Sequence, residues 1–160
     1  FEHAQVDASD ISPDALAVAK INRENHGLEG RLNLIESDLF ESIPDKRYDV
    51  IISNPPYVSI EEVDELPAEF DFEPGALALK AGPEGMDVVI PMLIQASDYL
   101  SDDGILIVEV GYSKPALEEV LPDVPFFWVD FEYGGDGVFM LTAEQLRTYQ
   151  AEFKRANIAQ

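Results

Sequence analysis

Two unbroken apolar runs dominate the hydropathy pattern, Val50-Ile51-Ile52 within residues 48–53 and Ile105-Leu106-Ile107-Val108 within residues 105–110. Runs of this length without alternation read as strands buried in a parallel sheet, since a half-exposed strand alternates apolar and polar positions. Residues 3–9 and Arg31 to Glu36 read as further strands. Helical periodicity separates them. Ser12-Pro13-Asp14 is a helix start, with Ser12 as N-cap and Pro13 at the first helical position, where its missing N–H costs nothing. That helix is predicted to turn Leu16, Ala19 and Ile21 inward and to stop near Gly27.

The second half of the chain continues the pattern. A helix is predicted from Asp87 to Leu100, with Val89, Leu93, Ala96 and Leu100 on one face and Pro91 tolerated in its first turn. Asp103-Gly104 reads as the turn into the second apolar strand, and Lys114 to Leu121 as a short helix between Pro115 and Pro122. Phe126 to Glu132 and Val138 to Leu141 flank Gly134-Gly135-Asp136-Gly137, the signature of an antiparallel hairpin. Thr142 and Gln145 form a capping box that opens a last helix carrying Leu146, Tyr149 and Phe153. This order predicts an α/β fold, a doubly wound, mostly parallel sheet with an antiparallel hairpin strand at one end. Residues 57–85, with Pro67, Pro74, Gly75, Gly82 and Pro83, are too irregular for an element. A loop that long in a compact domain is usually functional, and it reads as a cover over a site.

The site itself is marked by Asn54-Pro55-Pro56-Tyr57, which follows the first apolar strand directly. In open α/β sheets ligands bind at the carboxyl ends of strands. Two prolines fix φ and remove two backbone donors, so the wall they form is dominated by acceptors. A neutral amide or exocyclic amine carries two N–H donors; the Asn54 side-chain oxygen and the Pro55 carbonyl can accept one each and so aim the nitrogen. Tyr57 would add a flat apolar wall. A plain tight turn after a strand uses similar residues, but the four together point to chemistry on an amino or amide nitrogen.

With Ser53-Asn54-Pro55-Pro56-Tyr57-Val58, Glu73-Pro74, Ala76-Leu77 and Gly82-Pro83-Glu84-Gly85-Met86, the chain resembles the HemK-type protein glutamine methyltransferases, class I enzymes that use S-adenosylmethionine. Gly134-Gly135-Asp136-Gly137-Val138-Phe139-Met140-Leu141-Thr142 is similar to the branch that methylates the third protein of the large ribosomal subunit. The resemblance runs from Asp7 to about Gln145. It implies a Rossmann-like class I methyltransferase sheet in which Asp10 holds the cofactor ribose, while Asp38 accepts from the adenine amine and Ile11 and Leu39 sandwich the ring; without the resemblance Asp38 reads equally well as a solvated loop acid. Asp10 also stands where an acid commonly bridges ribose hydroxyls; Asp7, inside the strand, is the weaker candidate, and a helix-start acid is the competing reading of Asp10. Asn54, Pro55 and Tyr57 are implied as the catalytic group, with Pro56 completing the substrate wall, Asn54 also touching cofactor, and Glu73 as an orienting group or a plain surface acid. Family members carry a first strand and glycine-rich loop ahead of the region matched, and no such loop occurs near the start of this sequence. The 160 residues are therefore expected to be the carboxyl-terminal part of one methyltransferase domain, with the further strand lying between those at 3–9 and 48–53.

Composition narrows the partners. With 46% hydrophobic residues in 160, one core is expected. No apolar run approaches the about 20 residues of a membrane helix, and without cysteine only His3 and His26 offer an imidazole. A cytoplasmic protein without metal follows as the expectation. The net charge of −22, from 32 acids and 10 bases, repels free nucleic acid and attracts a basic protein such as a ribosomal protein before assembly. Solubility or salt adaptation would also produce it. The run Glu61, Glu62, Asp64, Glu65, Glu69, Asp71 and Glu73 is either a solvated face or a guide for a basic substrate. Two other functions stay open at this point. One is an adenine or cytosine amino-methyltransferase on nucleic acid, for which ten scattered bases are few; the other is a non-catalytic acidic module binding a basic partner.

Overall fold

Ser12 caps the first helix as its sequence predicts: its hydroxyl accepts from Ala15 N at 3.3 Å, and Pro13 opens the helix. The computed structural model describes residues 3–56, 86–132 and 135–159. It divides into two units, Phe1–Asp45 and Lys46–Gln160. In the first, β1 (Val6–Asp10), α1 (Pro13–Asn25) and β2 (Leu32–Glu36) form a parallel pair with a crossover helix. Gly27 ends the helix region at φ +63, a backbone that glycine adopts without a Cβ penalty. No residue of α1 is fully buried. Leu16 and Ala19 are half-buried as expected, but Ile21 is 58% exposed. The helical period explains the difference. Arg23 donates to Leu32 O at 3.3 Å, so the sheet-facing stripe runs Leu16, Ala19, Arg23, and Ile21 sits roughly 140° around the axis from Leu16.

The second unit holds β3 (Tyr48–Ser53), α2 (Val89–Ala96), β4 (Leu100–Glu109), α3 (Lys114–Val120), β5 (Phe127–Val129), β6 (Val138–Thr142), α4 (Ala143–Thr148) and α5 (Gln150–Ala159). Its sheet has the order β3-β4-β6-β5, with β3 parallel to β4 and β6 antiparallel to both neighbours. The expected hairpin is present, and β6 inserts between β4 and β5. The helix predicted to reach Leu100 stops at Ala96. Asp98 N bonds Gln95 O at 2.9 Å and Tyr99 N bonds Ala96 O at 3.1 Å, which closes a turn and delivers Leu100 into β4. Asp103-Gly104 does not turn the chain. It lies inside β4, in a bulge where pairing jumps from Tyr48↔Leu100 to Val50↔Ile105. Gly104 permits that bulge, since a Cβ there would stand 3.0 Å from Tyr48 O and Ser101 O.

The capping box forms as read, with Gln145 N on Thr142 Oγ1 at 3.1 Å and Thr142 N on Gln145 Oε1 at 2.9 Å. The last helix is interrupted at Tyr149, and Gln150 ties the second piece to α2 through Ile94 O at 2.9 Å. Leu106, Val108, Phe139 and Leu141, on one face of this sheet, are fully buried together with Val89, Leu93, Leu146 and Phe153 of the helices. The opposite face is different. Val50, Ile105, Ile52 and Ile107 share it by register; Val50 is 46% and Ile52 74% exposed. The reading of residues 48–53 as a buried strand is corrected here: β3 is parallel, but among the described residues it has a strand on one side only and its second face is uncovered.

Candidate functional site

Asp10 and Asp38 leave the first unit's sheet side by side, because β1 and β2 are parallel with Asp10 opposite Glu36. Ser37 N bonds Asp10 O at 3.1 Å, carrying the pairing one residue past the strand ends. Asp10 is exposed, and its Oδ1 accepts from Ser12 N at 2.8 Å, so one carboxylate oxygen is held by the helix start and orients the other. Asp7 is engaged elsewhere: its carboxylate accepts from Asn33 Nδ2 at 2.9 Å. Ile11, between Asp10 and the helix, is 61% exposed, a large apolar side chain presented at a strand end.

Sequence reasoning missed Ser37, the residue that shapes this edge. It is buried, donates from its hydroxyl to Leu39 O at 3.0 Å and accepts from Ser42 N at 2.9 Å. These bonds hold a tight turn in which Leu39 takes φ +45, a conformation unfavourable for a side chain unless the surroundings impose it. Asp38 is exposed on the same turn. A serine before an Asp-Leu pair does not by itself announce this burial. The groups on this edge fit the nucleoside end of S-adenosylmethionine in kind: two exposed carboxylates that can accept from hydroxyls and an amine, and two aliphatic side chains, Ile11 and Leu39, for the ring faces.

Asn54, Pro55 and Pro56 stand in the second unit, at the carboxyl end of β3. Asn54 is exposed and Pro55 buried, so the rigid backbone is anchored while the amide side chain is presented. Ser53 pairs with Val108, which sets Asn54 beside the last residues of β4. The two carboxylate turns and the Asn-Pro-Pro segment therefore lie in different units, each at strand carboxyl ends. Tyr57, Glu73 and the acidic run at residues 61–73 lie outside the described residues. Among the described residues no group of three His, Asp or Glu side chains could hold a metal ion, and no helix is long and apolar enough to cross a membrane.

Comparison with known proteins gives the family and the fold. The chain is 46% identical over 155 residues to a ribosomal protein uL3 glutamine methyltransferase of Francisella tularensis, covering 97% of this chain and 49% of that protein. It is 48% identical over 147 residues to the protein of that name from Neisseria meningitidis serogroup A, covering 91% and 48%. The chain thus spans about half the length of these curated relatives. Among solved structures, a methyltransferase from Pyrococcus furiosus superposes with a TM-score of 0.62 at 16% identity, over 89% of this chain and 64% of that one. That likeness establishes the class I methyltransferase-like fold, a mixed α/β sheet with parallel strands and an antiparallel strand. Residues 1–84, more than half of the chain, match the methyltransferase small domain, and the chain belongs to that family.

Proposed function

We propose that this chain is the carboxyl-terminal part of a cytoplasmic methyltransferase domain that transfers a methyl group from S-adenosylmethionine to the side-chain amide nitrogen of a glutamine in a basic large-subunit ribosomal protein. The observation that carries the reading is Asn54, exposed at the end of β3 on a backbone locked by the buried Pro55, in a chain 46–48% identical to relatives named for that reaction. Asp10 and Asp38, with Ile11 and Leu39, would hold the nucleoside end of the cofactor, which when bound supplies a methyl group on a positively charged sulfur.

The amide nitrogen is a poor nucleophile because its lone pair is delocalised into the carbonyl, so positioning must supply much of the catalysis. Asn54 Oδ1 and the Pro55 carbonyl accept the two N–H groups and fix the nitrogen's direction, an effect that can contribute several kcal/mol. The same acceptors stabilise the positive charge that develops on nitrogen. No strong base is needed, since the N-protonated amide is acidic enough to lose its proton to water. Tyr57 is assigned the flat wall against the amide plane, Pro56 the adjoining wall, and Glu73 an orienting role.

The test is mass spectrometry of purified large-subunit ribosomal protein incubated with S-adenosylmethionine and the full-length enzyme, with free DNA as a parallel substrate. One added methyl on a glutamine, and none on DNA, is the expected result; methylation of DNA alone would overturn the reading. Asn54→Ala in the same assay is expected to lower the rate about a hundredfold, on the order of 3 kcal/mol, while cofactor affinity measured by calorimetry falls only modestly. A variant keeping more than half the activity would remove Asn54 from the mechanism.

A further inference from the structure

The carboxyl edge that presents Asn54 continues across the second unit's sheet. Because β4 is parallel to β3 and β5 runs parallel to β4 through β6, the ends of β3, β4 and β5 and the start of β6 share one edge. A groove of about 290 Å³ opens there. Its floor is backbone, at Gly111 and Gly137, which pack so closely that a Cβ on Gly137 would stand 2.2 Å from Gly111 O. Val110 N bonds Gly137 O at 2.8 Å and fixes this junction. Around the floor stand Tyr112, Asp130 and Asp136.

Three features give the groove a preference. Tyr112 is 93% exposed, an aromatic face presented to solvent with no packing role. Asp130 and Asp136 are exposed, and neither takes part in a hydrogen bond or ion pair among the described residues. Lys114, the one cation among the described residues that line the groove, is engaged by the Trp128 ring, 4.5 Å from its Nζ to the centroid. Two carboxylates and an open aromatic ring over a backbone floor favour a cationic side chain on an extended polypeptide.

We infer that this groove is a subsite of the substrate-binding edge, taking a Lys or Arg side chain of the substrate polypeptide near the modified glutamine. The inference rests on the assignment of Asn54 as the residue that aims the amide. Distance sets the spacing: the β6 start lies two strands from β3, so the groove mouth is about 10 Å from Asn54, or roughly three residues of extended chain. The expected basic residue therefore falls about two to four positions from the glutamine.

The experiment is steady-state methylation of the ribosomal protein by the full-length enzyme, comparing wild type with D130N/D136N. Both positions are exposed, so folding is not at issue. KM for the protein is expected to rise about fivefold with kcat nearly unchanged, the size of a lost exposed charge contact. Replacing the nearby Lys or Arg of the substrate by Ala should raise KM equally for wild type and produce no further rise with the double variant, which isolates the pairwise contact. An unchanged KM in D130N/D136N, or effects of enzyme and substrate changes that simply add, would overturn the subsite while leaving the methyl transfer intact. Wild-type enzyme that methylates no ribosomal protein would overturn the function and this inference with it.

Discussion

Gly137 shows how far a single residue can shape the site edge. Its φ is +77 and its missing Cβ lets Gly111 O approach to a distance no side chain permits, so β6 can begin directly beside the end of β4. Gly137→Ala would meet both a left-handed backbone penalty and a clash with backbone that cannot swing aside. A loss of about 2–4 kcal/mol is expected, read as a lower urea midpoint with an unchanged slope; a loss under about 0.5 kcal/mol would show that the junction relaxes freely. The glycine-rich tetrapeptide was legible as a hairpin signal, but its close approach to Gly111 was not, because the two glycines are far apart in sequence. Ser37 was hidden for a related reason. Its importance lies in burial and in bonds to Leu39 and Ser42, neither of which a polar residue in a short loop announces. The positions of Asn54 and Asp10, at the carboxyl ends of β3 and β1, were legible because each closes or follows a segment that reads as a strand.

At the scale of elements, chemistry that acts within a few residues was read correctly. The Ser12 cap and the Thr142–Gln145 box depend only on local geometry, and both are present. Thr142→Ala is expected to cost about 1 kcal/mol, since it leaves Gln145 N without its acceptor at the start of a helix whose Leu146 is fully buried; urea unfolding measures it, and Thr142→Ser should recover most of the loss. Properties decided by neighbours were misread. Val50-Ile51-Ile52 looks buried on both faces, yet burial needs cover, and only the face shared with Leu106 and Val108 has helices of the described residues packed on it. Asp103-Gly104 has turn composition, but pairing with β3 draws it into the strand as a bulge. Ile21 was assigned inward on its apolar character, whereas the stripe that meets β2 is set by Leu16, Ala19 and the Arg23 bond to Leu32 O.

For the whole molecule, the uncovered side of β3 and the span of only about half the relatives' length bear on what 160 residues can do alone. The described residues offer candidates for the nucleoside end of the cofactor, and neither β1 nor β2 is followed by a glycine-rich loop for its methionine end. Calorimetry is therefore expected to show weak or no S-adenosylmethionine binding by this chain and tight binding by the full-length enzyme; micromolar affinity in the short chain would overturn that. The net charge of −22 has a kinetic consequence. If its field recruits a basic ribosomal protein, association should slow steeply as salt rises to physiological levels, where surface charges are screened over about 8–10 Å. Duplex DNA should show no binding at any salt. Reversing Glu61, Glu62 and Glu65 to Lys changes the net charge by six units, from −22 to −16, and removes the densest part of the acidic run. The on-rate should fall while single-turnover methylation of bound substrate stays nearly intact, because long-range charge acts on encounter and the proposed transfer is assigned to groups at Asn54. Stopped-flow binding and single-turnover methylation separate the two quantities. An on-rate indifferent both to salt and to the triple reversal would reduce the acidic run to a solvated face and leave partner choice to short-range contacts at the carboxyl edge of the sheet.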